Sequence, residues 1–204
     1  MSRTRPNRVL FSATALAGLW LVAACKKPEP AADTAAPAVA PAPDTAKPAA
    51  AAAPAINDAQ IAHIVVTADA IDSAAGALAK QKGASKAVKD FGETMVNDHG
   101  GVNKQAVALA TKLNVTPEDN NVSKQLKAGA DANIAKLQGL TGAAFDKAYI
   151  DNEVAYHQAV ADAIDKTLIP NAQNAELKAL LEKSRPAFGA HLERAKSIQA
   201  SLSK

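Results

Sequence analysis

The chain contains four histidines, and the placement of three of them indicates chemistry inside a bundle of helices. Glu153 and His157 are four residues apart, so a helix projects this carboxylate and this imidazole side by side, within reach of one shared ion. His99 and His191 each fill a position in a series of apolar residues at helical spacing. Imidazole with one or two carboxylates suits Zn, Cu, Fe or Ni better than Ca or Mg, so these residues are candidate transition-metal ligands.

Five stretches of helical periodicity carry these residues. Their apolar residues recur at steps of three, four or seven, which places them on one helical face. Four long stretches cover residues 58–82, 85–113, 141–170 and 174–202, and a thinner one covers 116–138. Hydrophobic residues make up 48% of the chain, most of them alanine, and aromatic residues only 3%, a composition that favours helices over strands. We therefore predict an all-α fold with four long helices and one connecting helix.

Local signals predict where these helices begin and end. Thr141 has the hydroxyl of an N-cap, Asp146 adds negative charge near the start of the same helix, and Pro170 stops it. Residues 116–119, Thr-Pro-Glu-Asp, combine an N-cap, a proline and an acidic first turn, which predicts the start of the connecting helix. Pro186 is expected to kink or break the last helix, because proline lacks the backbone donor.

Distances along the helices indicate that these polar residues lie at a similar position along the length of a bundle. At about 1.5 Å per residue, Asp72, at the edge of the first apolar face, lies ~15 Å from the first turn and His99 ~20 Å. Glu153, His157 and His191 lie ~23, ~17 and ~26 Å from the turn between the last two long helices. His63 points away from the apolar face of its helix, so we interpret it as a surface histidine. The candidate ligands are thus His99, His157, His191, Glu153 and Asp72.

Two interpretations of this set remain open. It is either a mononuclear or labile metal site, or a layer of hydrogen-bonded side chains that orders the core. A di-iron oxidase is disfavoured, because no glutamate stands three residues before any histidine. The sequence indicates no reaction, and we assign no catalytic residue.

The N-terminal quarter predicts export and lipid anchoring. Residues 1–24 begin with a positive stretch, continue with an apolar run and end in Val-Ala-Ala before Cys25, as in a bacterial signal peptide. This ending resembles the lipobox of bacterial lipoproteins, in which the cysteine is acylated and becomes the new N-terminus. Lys26 follows, and the absence of aspartate there is what an outer-membrane lipoprotein shows by resemblance. We expect Cys25 to be lipidated on the periplasmic side of a bacterial membrane.

The stretch after Cys25 predicts a tether rather than a domain. Residues 25–56 are rich in proline and alanine, which favours an extended, disordered spacer, and the helical domain covers residues 57–204. The formal charge of +3 comes from Arg3, Arg5 and Arg8 of the signal, so the remainder is balanced. This excludes a basic surface for nucleic acid. The membrane is the expected partner, reached through the lipid, and no protein partner is indicated.

Three segments resemble a known family. These are FGETMVNDHGGVN around His99, GAAFDKAYIDNEVAYHQAV around His157 and FGAHLERA around His191. They are similar to the DUF4142 family, exported bacterial proteins of unknown function. The resemblance implies a ferritin-like up-down four-helix bundle with the connecting helix between its second and third main helices. The first helix departs from the family pattern, because Asp72 stands where a glutamate is usual.

We therefore expect a membrane-tethered periplasmic lipoprotein with a His/carboxylate metal site in the core of its helical bundle. The ion would be Zn, Cu or Fe. The alternative is a non-catalytic envelope stress or interaction protein whose buried histidines only order the core. The substitution His99→Leu distinguishes the two interpretations, because a protein whose histidines only order the core should tolerate it.

Overall fold

The computed structural model describes residues 56–204, and within them it contains helices and no strand, which confirms the all-α prediction. The helices are α1 (Asp58–Lys82), α2 (Lys86–Lys112), α3 (Asn121–Gln138), α4 (Gly142–Ala163), a π-helical turn (Ile164–Leu168), α5 (Ile169–Asn171) and α6 (Ala175–Leu202). The predicted signal peptide, the lipidated Cys25 and nearly all of the tether lie outside the described residues.

α1 and α2 form an antiparallel hairpin around a turn that contains Gly83. Their pairing is the most extensive between any two helices of the described region. Its closest point is between two glycines: a Cβ on Gly76 would lie 2.7 Å from the carbonyl oxygen of Gly92, nearer than real Cβ atoms approach. Glycine at both positions therefore lets the two backbones touch. Lys80 and Glu93 pair across the same hairpin, one turn farther along.

α4 and α6 form the second antiparallel pair. Gln199 donates to Asp151 at one end and Arg185 pairs with Asp165 toward the other, so residue numbers fall along α6 as they rise along α4. The π-helical turn extends α4, with the backbone N–H of Ile169 bonded to the carbonyl oxygen of Ile164. The helical run ends at Asn171, one residue after Pro170, close to the predicted end.

N-cap side chains form hydrogen bonds with the first turn of most of the long helices. Asn57 forms a capping box with Gln60, while Ser85 and Asn174 cap α2 and α6 as the sequence predicts. Thr141 occupies the N-cap position of α4, but its hydroxyl makes no capping hydrogen bond, so that part of the prediction is wrong.

Asp146 has a different contact from the one predicted. Its two carboxylate oxygens accept hydrogen bonds from the backbone N–H groups of Ala84 and Ser85, each at 2.8 Å. The side chain is buried. It therefore fixes the turn between α1 and α2 to α4 in addition to lying near the start of its own helix.

The connecting helix α3 begins later than predicted. Asn120, not Thr116, is its N-cap and forms a capping box with Ser123. The residues before it are held by α1, since the backbone N–H of Glu118 bonds to the carbonyl oxygen of Ala59. This tertiary contact outweighs the local helix-start signal of residues 116–119. The thin apolar face is confirmed: Val122 is exposed, and only Ser123 and Leu137 are buried.

The predicted break at Pro186 does not interrupt its helix. α6 runs through Pro186, whose position is exposed, so the carbonyl that loses its donor faces water. α2 runs through Gly100, where an added Cβ would meet nothing within 4 Å.

By length and composition alone α1 could also cross a membrane, with a mean hydropathy of 1.4. Half of that window is buried in the structure, and α1 packs against α2, α3 and α4. We therefore describe it as a core helix.

Candidate metal centre

Three imidazoles from three different helices meet in the interior. His99 of α2, His157 of α4 and His191 of α6 are all buried. Their ring centroids are 5.2 to 5.6 Å apart, which makes a nearly equilateral triangle. One ring nitrogen of each lies within 4.8 Å of a ring nitrogen of each of the others. The sequence expectation that these residues share one level therefore agrees with their placement.

The outer nitrogen of each imidazole has its own acceptor. His99 Nδ1 lies 2.8 Å from Asp69 Oδ1, His157 Nδ1 lies 3.0 Å from the carbonyl oxygen of Glu153, and His191 Nε2 lies 2.9 Å from Asp98 Oδ2. A carbonyl or an ionised carboxylate only accepts, so these three nitrogens carry the protons. Metal-binding histidines almost always donate their second N–H to such a group.

The other ring nitrogen of each imidazole has a lone pair that accepts no hydrogen bond. His99 Nε2, His157 Nε2 and His191 Nδ1 are buried and make no hydrogen bond. In the neutral imidazoles these atoms are acceptors, because the protons are on the other side of each ring. Buried acceptors without a partner are costly, and a cation shared among them removes that cost.

Asp72 brings a carboxylate to the same point from α1. Its Oδ2 lies 3.1 Å from His99 Nε2 and 3.3 Å from His157 Nε2, and neither contact is aligned as a hydrogen bond. Two ligands at about 2.0–2.1 Å from one tetrahedral ion are roughly 3.3 Å apart. Asp72 is therefore spaced from both imidazoles as a further ligand would be, and each of the four long helices contributes one residue.

Glu153 lies beside this group. Its Oε2 is 3.4 Å from His157 Nδ1 and has no hydrogen-bond partner. Together with Asp72 and His157 it forms a second set of closely spaced donor atoms. Burial, with the charge of Asp72 next to it, raises the pKa of Glu153 well above its usual value. Both influences act in the same direction, because each disfavours the charged form of this carboxyl.

Aromatic rings enclose the imidazoles. Phe188 packs against His99 and His157 with centroids 5.0 and 6.0 Å apart, and Phe91 lies 6.5 Å from His157. The Tyr149 hydroxyl is buried without a partner, and burial raises the pKa of Tyr149 well above its usual value. These rings keep water from the triangle and so strengthen every charge interaction inside it.

The surroundings shift the pKa values of His99 and His157 in opposite directions. Burial disfavours charge on His99, but the hydrogen bond to Asp69 and the negative charge of Asp72 outweigh it, so the pKa of His99 is raised above 6.5. Burial is the dominant influence on His157 and lowers the pKa of that imidazole below 6.5. His157 is therefore the residue more readily kept neutral for coordination.

Comparison with known proteins identifies a family. The model of a domain of unknown function, DUF4142, matches residues 43–198, which is more than half of the chain. The chain belongs to the DUF4142 family. No curated protein and no solved structure matches it significantly. The family resemblance noted from the segments around the three histidines is thus confirmed.

A cavity of about 400 Å³ leads to the carboxylate side of this DUF4142 centre. It lies between α1, α3 and α4, and its lining includes Asp72 and Glu153. Gln125, Asn133 and Asn152 add amide groups to an otherwise apolar wall. The helix that covers it, α3, has only two buried residues, Ser123 and Leu137, so little side-chain packing separates this cavity from the surface.

Sequence reasoning missed three features of the DUF4142 domain. Asp69 is buried and bonded to His99, and the available signal was its position three residues before Asp72, on the same side of α1. Asp98 stands next to His99 but pairs with His191, a contact between helices that no local pattern encodes. His63 lies outside the triangle, as expected, but it is half-buried and its Nδ1 lies 3.9 Å from Asp119 Oδ1, a contact that the sequence did not indicate.

Proposed function

We propose that this domain binds one transition-metal ion through His99 Nε2, His157 Nε2 and His191 Nδ1, with Asp72 as the fourth ligand. The observation that carries the proposal is the direction of the hydrogen bonds. Each outer N–H is held by an acceptor, and each inner nitrogen is a buried acceptor without a donor. Three oriented imidazoles with lone pairs facing inward are what a metal ion requires.

The chemistry of the ligand set selects the class of ion. Three imidazoles and one carboxylate suit Zn, Cu or Fe, whereas Ca and Mg prefer sites built from oxygen ligands. Glu153 forms a closely spaced set with Asp72 and His157, and we assign it the role of a fifth or exchangeable ligand on the side of the cavity under α3. The function is metal binding or buffering, without an assigned reaction.

We further propose that the N-terminal part of the chain anchors this domain to a membrane. The apolar run and the Val-Ala-Ala-Cys ending support residues 1–24 as a signal peptide, lipidation of Cys25 and a tether over residues 25–56. The domain of residues 57–204 then faces the periplasm, with the outer membrane as the expected site. Its two antiparallel helix pairs, with α3 crossing between α2 and α4, support a ferritin-like bundle.

A second candidate is a metal-free polar core. His99 has a carboxylate near each ring nitrogen, Asp69 at 2.8 Å and Asp72 at 3.1 Å, so a protonated His99 would pair with both. The raised pKa of His99, which burial opposes and the bond to Asp69 favours, agrees with that arrangement. In this case the histidines order the helices, and the protein acts through its surface.

Metal analysis of protein purified without a histidine tag tests the proposal. We expect one Zn, Cu or Fe ion per chain, or stoichiometric uptake when the metal-free protein is titrated with each metal. His99→Ala, His157→Ala and His191→Ala should each lose this binding. His63→Ala is the matched control, because it removes the one histidine that lies outside the triangle.

The metal-free alternative makes the opposite prediction. If the protein contains no metal and its melting temperature is unchanged by added Zn or Cu, the proposed function is wrong. His99→Leu would then leave a folded protein, since an apolar side chain of similar size satisfies a core position.

A further inference from the structure

A second cavity, of about 240 Å³, lies on the other side of Tyr156 from the cavity under α3. Its walls come from α1, α2, α3, α4, the π-helical turn and α6. They are almost entirely apolar, with main contributions from Ile64, Val65, Val160, Leu168, Leu181 and Phe188. An engineered apolar cavity of about 150 Å³ is large enough to bind benzene, so this cavity holds a small organic molecule with room to spare.

One carboxylate interrupts this apolar lining. Asp69 is among the lining residues and is buried. Its Oδ1 accepts from His99, while its Oδ2 is buried with no hydrogen-bond partner. The other polar groups here are already satisfied, since the Tyr156 hydroxyl donates to the carbonyl oxygen of Ala68 and the Ser184 hydroxyl to that of Leu180. Asp69 Oδ2 is therefore the side-chain oxygen of this lining that still lacks a hydrogen-bond partner.

We propose that this cavity binds a small, uncharged, mainly apolar molecule that carries one hydrogen-bond donor, and that the donor bonds to Asp69 Oδ2. The apolar walls supply the affinity and Asp69 supplies the orientation. A hydroxyl on a compact ring or short chain meets both requirements. Anionic molecules such as fatty acids or benzoate are excluded, because their carboxylate would be buried next to Asp69.

The wall formed by the π-helical turn supports a binding role. Ile164 and Leu168, the two ends of this turn, both face the cavity, and π-helical turns are frequent at functional sites. The turn inserts one residue into the helical ladder and so shifts these side chains relative to a regular α-helix. Phe188 lies between the cavity and the imidazoles, with its ring 5.0 Å from that of His99. The ligand would thus lie next to the histidine triangle without entering it.

This inference does not rest on metal binding. The cavity and Asp69 Oδ2 belong to the polypeptide, so the test uses purified protein that has been treated with a chelator and freed of metal. Loss of the metal proposal would leave this one standing, and the reverse also holds.

Binding of phenol, toluene and benzoate to the metal-free protein, measured by calorimetry and by ligand-observed NMR, tests the proposal. Phenol offers a ring and one donor, toluene a ring of similar shape without a donor, and benzoate a ring with negative charge. We expect phenol to bind about tenfold or more tighter than toluene, because a hydrogen bond to a charged group is worth at least that factor. Benzoate should show no binding at this site.

Substitutions in the cavity wall test whether phenol binds there. Ala163→Phe and Val102→Phe each place a ring in the cavity and should abolish phenol binding, whereas Ala132→Phe on the exposed face of α3 should not. Asp69→Asn should remove most of the advantage of phenol over toluene. Helicity and melting temperature identify which of the two filling variants is folded and therefore informative. Equal binding of phenol and toluene, or phenol binding that survives a folded filling variant, would overturn the proposal.

Discussion

Gly76 and Gly92 bring the backbones of α1 and α2 into direct contact. A Cβ on Gly92 would lie 2.6 Å from the carbonyl oxygen of Gly76 and 2.9 Å from the Cβ of Ala79. Asp72 lies one turn from Gly76, and His99 two turns from Gly92, so this contact sets the spacing across which these two residues meet. The spacing of Asp72 and His99, two of the proposed ligands, therefore depends on the absence of two side chains.

Gly92→Ala tests this contact. The added methyl must displace backbone, so we expect the free energy of unfolding to fall by about 1–3 kcal/mol, measured by urea unfolding. Gly100→Ala is the matched control on the same helix, because its Cβ meets nothing within 4 Å and alanine favours a helix by up to ~1 kcal/mol. A Gly92→Ala protein as stable as wild type would show that the two backbones are farther apart.

The acceptors behind the imidazoles are predicted to tune metal affinity. Asp98→Asn weakens the acceptor of the His191 Nε2–H and should reduce metal affinity about 10–100-fold, with the ion still bound by the same ligands. Asp90→Asn on an exposed part of α2 should leave affinity unchanged, since its partner is Lys86. Competition with a chromophoric chelator measures both. Equal affinities for the two variants would contradict the role of Asp98.

Metal binding should weaken as the pH falls through neutrality. A protonated imidazole cannot coordinate, and the pKa of His99 lies above 6.5, because the bond to Asp69 and the charge of Asp72 outweigh the effect of burial. Protons therefore begin to displace the ion from His99 at a pH above 6.5, while burial keeps His157 neutral to lower pH. Below the pKa of His99 the apparent Kd should rise about tenfold per pH unit. A Kd that is constant from pH 8 to pH 6 would contradict this.

Asp146 is predicted to stabilise the α1–α2 turn. Asp146→Ala removes the buried carboxylate that accepts from the part-buried N–H groups of Ala84 and Ser85, so the free energy of unfolding should fall by about 1–3 kcal/mol. Asp162→Ala, an exposed residue paired with Lys166 in the same helix, should change stability by less than about 0.5 kcal/mol. Thermal melting distinguishes the two. A similar small effect in both variants would show that Asp146 is dispensable.

The sequence predicted the helices well because their signals are local. Ser85, Asn174 and the apolar periodicity gave the starts of α2 and α6 and the full span of α1. The start of α3 was missed, because the chain around Glu118 bonds to α1, a partner about 60 residues away that no local pattern contains. Pro186 was expected to disturb α6 more than it does, since its exposure permits water to replace the missing donor.

The candidate ligands followed from helical faces, whereas their partners did not. Periodicity placed His99, His157 and His191 in the interior, and counting residues placed them near one height. The group that accepts from the outer N–H of each imidazole depends on how one helix is rotated relative to the next. Periodicity does not determine this rotation. Asp69 and Asp98 were therefore found only from the three-dimensional structure.

Asp98 and His99 are consecutive on α2, yet they reach different helices: Asp98 bonds to His191 on α6 and His99 to Asp69 on α1. Consecutive residues point about 100° apart around a helix axis. Two hydrogen bonds at the same height therefore fix the rotation of α2 about its own axis. A small rotation of this helix would strain both bonds together. A roll of α2 would consequently disengage two imidazoles at once, so an ion held as we propose would lose two ligands in a single step.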